Sequence, residues 1–389
     1  MQENTNPVVI VSAARTPIGS FQGGLKSHSA PELGGIAIRA VLDRSGLMPD
    51  KLDEVLMGCV LPAGVGQAPA RQAAHHAGLP WAVPCSTVNK VCGSGMKTII
   101  LAHDTLATGD ARFIVAGGME SMTNAPYLLE KHRTGARMGH GRVMDHMFLD
   151  GLEDVYDRGR SMGTFAEETA EAYQFSRVQQ DSYAIESLAR ANRAIAEGAF
   201  RGETVTVGDV SADEQPGKSK PEKIPQLRPA FKENGTVTAA SSASISDGGA
   251  AVLLSRRSVA EQQRLETLAY IRGTASFAQE PSRFTTAPVF AINRLLEKVG
   301  WSTSDVDLFE INEAFAVVPM AAMRELDIGH ERMNVNGGAC ALGHPLGCSG
   351  TRVVVTLLSA LQARGLKKGV ASVCIGGGEA TAIAVELLN

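Results

Sequence analysis

Two cysteines, one histidine and one asparagine stand in settings where their side chains can do chemistry. Cys92 lies in NKVCGSG, residues 89–95, between a strand-like run and a helical pattern. A thiol there meets the positive end of a helix and nearby N–H groups, both of which favour the thiolate. The flanking glycines let a substrate approach the backbone closely and expose N–H groups as oxyanion donors. His344 lies in GGACALGHPLGCSG, residues 337–350, a long irregular run punctuated by Gly and Pro. A neutral imidazole on such a loop can accept a thiol proton and create the nucleophile. Cys374 ends a strand-like run and opens CIGGG, where a second thiol can serve as acid or base toward a proton α to a thioester. Asn312, in EINEAF, can orient a water or donate toward an oxyanion. Each has a plainer alternative, such as a buried cysteine at a Gly-rich turn or a structural histidine with a satisfied hydrogen bond. Together they suggest two thiols, an imidazole and an amide converging on one site.

Such convergence needs a frame that brings distant loops together. Residues 7–12 form a short apolar β run, residues 31–46 have helical spacing through Leu33, Ile36, Ile38 and Val41, and residues 54–60 are apolar again. Strand, helix and strand in alternation predict an α/β fold. The sequence also repeats itself. Cys92-Gly-Ser-Gly95, a helical segment to Gly109, the run 111–116 and GGME at 117–120 are echoed later. The echo is Cys348-Ser-Gly350, residues 353–364, the run 370–374 and GGGE at 376–379. A smaller echo pairs residues 52–58 with 306–312, so two similar halves are expected. Between them lies a region of other character, with Met-, Arg- and Gly-rich loops, a polar helical stretch at 177–198 and a Pro/Lys-rich segment at 215–231. The first half resumes at Asp247-Gly-Gly, read as a turn before an apolar run to Leu254. The expected domains are residues 1–121 with 247–268, an inserted loop domain over 122–246, and residues 269–389.

The 389 residues, 44% apolar and 20% charged, describe a globular chain with a large core, and a formal charge of −4 excludes general attraction to nucleic acid. The N-terminal residues are polar and lead straight into a strand, so no secretory leader is read and a cytoplasmic location is expected. No apolar stretch approaches the ~20 residues needed to span a bilayer, since even residues 353–373 are broken by Gln, Arg and Lys. The six cysteines form no CxxC pair, which argues for reduced thiols and against a metal site.

NKVCGSG, GGMESM, NEAF, NGGACALGHPLGCSG and CIGGG occur in the order and approximate spacing of the thiolase family, and the similarity extends over essentially the whole chain. The resemblance implies a duplicated five-layer αβαβα core with an inserted loop domain that binds coenzyme A, in a homodimer or homotetramer. It implies Cys92 as acyl-accepting nucleophile, His344 as its activator and oxyanion donor, and Cys374 as acid/base. Asn312 would hold a water, and the N–H groups of Cys92 and Gly376 would form a second oxyanion hole. No tightly bound cofactor and no metal are implied, with coenzyme A thioesters as substrates. Met162, Ser244, Phe231, Ala314 and Phe315 are the candidate substrate contacts. Lys218 and Lys223 can meet the coenzyme's phosphates or belong to a solvated charged loop.

Two positions depart from the common pattern. Ala243 stands where a pantetheine-contacting Ser is frequent, with Ser244 as a substitute, and Ser161 stands where many short-chain thiolases carry His. EPSRFTTAP, residues 280–288, resembles the acetoacetyl-CoA branch, which favours acetyl-CoA C-acetyltransferase activity over broader 3-oxoacyl-CoA thiolysis in fatty-acid metabolism. A ketoacyl synthase would pair its cysteine with two histidines, against Cys374 in CIGGG. A non-catalytic carrier of the same fold would be expected to have lost one of Cys92, His344 or Cys374.

Overall fold

The computed structural model describes residues 6–388, so the polar residues 1–5 of the N-terminal reading lie outside the described residues. The chain begins with β1 (Val8–Arg15), the short β2 (Gly19–Ser20) and α1 (Ala30–Ser45). Ser29 and Glu32 close a capping box on α1, and Gly46 ends it in the left-handed conformation at φ 70°. Then follow β3 (Glu54–Gly58), α2 (Pro69–His76), β4 (Cys85–Val88), α3 (Ser94–Thr108) and β5 (Phe113–Ser121). The next region carries a hairpin of β6 (Tyr127–Leu129) and β7 (Val143–Asp145), then α4 (Met162–Ala172) and α5 (Arg177–Glu197). After a long stretch of turns come β8 (Ser246–Arg256), α6 (Arg257–Gln262), β9 (Ala269–Ala278), α7 (Ala287–Val299) and β10 (Leu308–Ile311). The chain finishes with α8 (Val317–Leu326), α9 (Ala339–Leu342), α10 (Leu346–Arg364), β11 (Lys368–Ile375) and β12 (Glu379–Leu387).

Nine strands run in the order β10-β11-β12-β9-β1-β8-β5-β3-β4, with β2 attached to β8. The internal repeat is visible in the pairing. In the first half β3 and β5 are parallel and β5 is antiparallel to β8; in the second β10 and β11 are parallel and β11 is antiparallel to β12. The halves meet where β1 pairs β9 through Val9↔Tyr270 and Ile10↔Ala269. The path folds into layers because its strands are apolar on both faces. Along β5, Ile114 and Ala116 join the cluster built on α3 and α10, while Phe113 and Val115 join the one under α1 and α2. The α3–α10 cluster takes side chains from both halves, among them Val252 and Leu254 from β8 and Val373 and Ile383 from β11 and β12. Helices α7 and α8 cover the outer face of the second half. The result is the five-layer αβαβα order, with α3 and α10 as the middle layer.

Three expectations change. Gly248 and Gly249 form no turn and lie inside β8, because α1 packs so closely that a Cβ on Gly249 would overlap the Leu33 carbonyl. The histidine-bearing run is not wholly irregular, since α9 and the start of α10 occupy much of it. Helix α10 begins at Leu346 rather than near Val353, and its 19 residues meet a membrane-span criterion by length and composition. Its most apolar stretch is 83% buried inside the protein, which is what a middle-layer helix requires.

The region between the halves is tied to the core by a buried charge cluster. Arg15, at the end of β1, donates to both carboxylate oxygens of Asp213 at 2.6 and 2.9 Å and to Glu203 at 2.6 Å. Replacing Gly118, where an added Cβ would overlap the Gly347 carbonyl oxygen, pries β5 from α10. Gly118→Ala is expected to cost about 1–3 kcal/mol, read as a lowered thermal unfolding midpoint. An unchanged midpoint would show that the middle layer yields more easily than this packing implies.

Candidate active site

Cys92 occupies a tight elbow between β4 and α3. Val91, directly before it, has φ 46°, a left-handed conformation that is a genuine outlier for a β-branched residue. Neighbouring side chains hold the elbow: Asn89 Oδ1 accepts the Val91 N–H at 2.9 Å. Ser94 Oγ accepts the Lys90 N–H at 2.8 Å and donates to the Val91 carbonyl at 2.6 Å. The Cys92 sulfur faces the N–H groups of Gly376 and of Cys92 itself. These two donors favour the thiolate, as the helix-end setting suggested, but burial outweighs them and pushes the thiol up to about 11. The resting nucleophile is therefore protonated, which corrects the expectation of a favoured thiolate.

His344 stands two residues before α10, as Cys92 stands two residues before α3. Its backbone N–H donates to the Ser244 carbonyl at 3.0 Å. Gly343, at φ 106°, has no room for a Cβ beside Ser246 Oγ. Ser349 Oγ lies 2.6 Å from His344 Nδ1 and gives its own proton to the Pro345 carbonyl at 2.9 Å. The Ser349 oxygen must then accept from Nδ1–H, which leaves the lone pair on Nε2. Asn312 Nδ2 is 3.4 Å from Nε2 and 3.5 Å from Nδ1, beside the ring rather than in line with either lone pair. Burial, followed by the Arg352 charge, drives the imidazole down to about 3, so it is neutral. Burial disfavours charge on both groups, so it opposes moving the Cys92 proton onto the imidazole before a substrate arrives.

Cys374 is fully buried at the end of β11, where burial raises its pKa and the Ala314 N–H partly offsets this. A charge on Cys92 acts on it directly. Cys92 thus neighbours Cys374 and the Gly376 N–H, while His344 neighbours Asn312, two residues before the Ala314 N–H at Cys374. Met162 Sδ lies 3.4 Å from where a Cβ on Gly376 would stand. The Phe231 ring lies against Gly163 and meets Phe315 edge-on at 5.8 Å. Phe315 is itself nearly buried, so it supports this apolar wall from behind. Ser244, Lys218 and Lys223 are elsewhere, around a cavity of about 390 Å³ shared with Lys220, Leu227 and Cys340. Its inner end adjoins the catalytic loop through Ser244 and Cys340. Ala243 offers only backbone there, its N–H donating to the Ala314 carbonyl at 3.0 Å.

Several residues inside the quoted motifs went unassigned at the sequence level. Glu120, of GGMESM, is buried and accepts N–H groups from Val60, Leu61 and Gly347 at 3.0, 3.1 and 2.8 Å. Glu313, of NEAF, is buried and accepts from Tyr183, Ser187 and Asn334 side chains at 2.8 Å and from the Cys340 N–H at 3.0 Å. Arg352 pairs with Glu310 at 2.8 Å in the middle layer and reaches Asn312 Oδ1 at 3.4 Å. The available signal was the presence of charged residues among glycines and apolar runs. Among the described residues, no group of three or more His, Cys, Asp and Glu side chains is arranged to hold a metal ion.

A doubled α/β frame with a strained thiol elbow from one half beside a second thiol from the other, which also supplies a buried imidazole, defines a class of two-half, paired-thiol transferases. Residues 8–258 match the family model described as the thiolase N-terminal domain, and residues 265–387 match the thiolase C-terminal domain. The chain is similar to acetyl-CoA acetyltransferase 2 of Arabidopsis thaliana, 49% identical over 99% of each chain. It is also similar to the acetyl-CoA acetyltransferase of Pseudomonas aeruginosa, 47% identical over 97% of this chain and 98% of that one. The crystal structure of Acat5 thiolase from Ascaris suum in complex with coenzyme A matches with a TM-score of 0.94 and 43% identity, covering 98% of this chain and 100% of that one. The chain belongs to the thiolase family.

A protonated Cys92 predicts that inactivation by iodoacetamide speeds up about tenfold per pH unit from about pH 7 to about pH 10, without a plateau. Peptide mapping should place the label on Cys92. A plateau near neutrality, or prior labelling of Cys59, Cys85 or Cys340 in step with lost activity, would overturn the assignment.

Proposed function

We propose that this thiolase is an acetyl-CoA C-acetyltransferase, joining two acetyl-CoA molecules into acetoacetyl-CoA and coenzyme A or running the reverse thiolysis. The observation that carries the reading is the approach of the Gly376 backbone to the Cys92 elbow, with Val91 Cγ1 3.7 Å from where a Cβ on Gly376 would stand, on the loop that immediately follows Cys374. One short stretch thereby serves both half-reactions. In the first, Cys92 sulfur attacks the thioester carbonyl while His344 Nε2 takes its proton and then, as a donor, faces the developing oxyanion with Asn312. The carbon–sulfur bond to coenzyme A breaks, and the buried, protonated Cys374 gives its proton to the departing sulfur. In the second, the Cys374 thiolate removes an α proton from a second acetyl-CoA. The carbanion attacks the Cys92 thioester, forming the carbon–carbon bond and breaking the carbon–sulfur bond, and the released Cys92 thiolate takes its proton back from His344. The N–H groups of Cys92 and Gly376 stabilise that oxyanion.

Two features support the coenzyme A side of the reading: the lysine-bearing cavity that ends at Ser244, and the Ascaris suum structure described as a complex with coenzyme A. Binding by the inserted region 122–246, a homodimeric or homotetrameric assembly, a cytoplasmic location and a place in fatty-acid metabolism belong to the same proposal. The exposed Tyr127, Leu129, Met138 and Val143 around the β6–β7 hairpin support assembly, since such apolar groups suit a covered surface. A second reading, thiolysis of longer 3-oxoacyl-CoA substrates, is favoured by Ser161, whose side chain makes no capping bond at the start of α4.

Cys92→Ser should form no normal acyl-thioester, whereas Cys374→Ser should still take acetyl from acetyl-CoA yet lose condensation by roughly 10²–10⁴-fold. Radiolabelled acetyl-CoA, removal of coenzyme A and peptide mapping read this directly. Near wild-type condensation by Cys374→Ser, or label on Cys374 in the unmodified enzyme, would refute the division of roles. Relative kcat/KM should favour acetoacetyl-CoA over eight-carbon and longer substrates, and the opposite order would install the second reading.

A further inference from the structure

The working contact between Cys92 and the Gly376 N–H joins two turns from different halves of the molecule, and the hydrogen bonds of Asn89 and Ser94 hold only the first of them. The first, residues 89–92, contains the strained Val91. The second, residues 376–378, is all glycine, with Gly377 and Gly378 at φ 89° and 91°. It has no side chains with which to pack. Its backbone is fixed at the far end, where the Gly378 carbonyl accepts the Gln279 N–H at 2.8 Å. Side chains connect the turns at three places. Val91 Cγ1 lies 3.7 Å from where a Cβ on Gly376 would stand. The Ile375 side chain lies under Gly93, leaving no space for a Cβ there, and the Lys90 ammonium pairs with the Glu379 carboxylate. Lys90 is two residues before Cys92, and Glu379 is three residues after Gly376.

We propose that the Lys90–Glu379 ion pair is a positioning clasp that holds the Gly376 N–H in register with the Cys92 sulfur across the seam between the halves. The inference rests on the acyl-transfer reading of the site. The pair is partly exposed, its side chains 22% and 36% accessible, so its contribution to stability is small. Its effect on rate need not be small, because oxyanion stabilisation depends steeply on donor placement. A misplacement of about 1 Å can cost on the order of 10²-fold. Neither residue is assigned a proton or a bond to substrate, so both are positioning residues.

Lys90→Met and Glu379→Gln are each expected to lower kcat for acetoacetyl-CoA thiolysis by about 10–100-fold, with KM nearly constant and the thermal midpoint unchanged. The charge-reversed double variant Lys90→Glu/Glu379→Lys should recover most of that loss. A second readout is independent of turnover. The Gly376 N–H favours the Cys92 thiolate, so loosening it should move the pH dependence of Cys92 alkylation to higher pH in each single variant and back again in the double variant. Wild-type kcat and an unmoved alkylation profile in the single variants would overturn the clasp. So would a raised KM at constant kcat, which would make Lys90 a substrate contact, or a lowered midpoint with no recovery on reversal, which would make the pair merely structural. If a single variant fails to fold, Lys90→Arg, which keeps the charge, must retain wild-type kcat and alkylation for the proposal to stand. A wild-type enzyme inactive on acetoacetyl-CoA would sink the functional reading, while the alkylation profiles would still decide the clasp.

Discussion

Backbone packs closely against backbone where α3 and α10 begin, and the site depends on it. A side chain on Gly95 would strike the Gly347 carbonyl and Thr351, one on Gly350 would strike the backbone of Met96, and one on Gly347 would strike the Met119 carbonyl. Two helix N-termini and the end of β5 therefore meet largely backbone to backbone, bridged by the Thr351 hydroxyl and the Glu120 carboxylate. Each half places a reacting group at the same structural position, Cys92 before α3 and His344 before α10. The duplication is thus part of how the site is built. The repeated Gly and Ser residues read from the sequence as part of a chemical motif are largely the means by which two middle-layer helices approach each other.

That closeness also sets the electrostatics. Excluding water raises Cys92 and lowers His344, so both rest uncharged; the charge that acts on His344, Arg352, is held by Glu310. Arg352 disfavours a protonated imidazole and touches Asn312 as well, so one buried cation conditions two of the groups around the thioester. Truncating either member of such a pair would strand the other in the core. A site that starts neutral develops its charges only when a thioester is present to receive them, which is how a dry pocket limits wasteful hydrolysis.

The repeat, the α/β alternation and the side chains proposed to react were legible because each leaves a local mark. Ser29 and Glu32 announce α1, and Cys92, His344 and Cys374 each stand among glycines. What escaped depends on burial and on distant contacts. Glu120 and Glu313 look in sequence like ordinary surface acids, and only the fold shows their carboxylates collecting backbone and hydroxyl donors. Gly248 and Gly249 looked like a turn because glycine marks turns locally; the competing cause, a helix pressed onto a strand, lies over two hundred residues away at Leu33. The thiolate preference of Cys92 failed for a related reason. A helix end is readable from sequence, whereas the depth at which it is buried is not.

The Glu313 network has a bearing on how the chain is made. Tyr183 and Ser187, on α5, bond to a carboxylate 130 and 126 residues further along. Synthesis proceeds from the N-terminus, so α5 leaves the ribosome long before NEAF and the 334–340 loop exist. Its buried face must wait, exposed, for that partner, and contacts of such sequence separation are slow to form. The middle region interrupts the first half in sequence but completes itself on the second. Nascent chains stopped anywhere between α5 and α9 therefore carry an unfinished surface, and the period of greatest exposure to chaperones and to aggregation falls in the second half of translation.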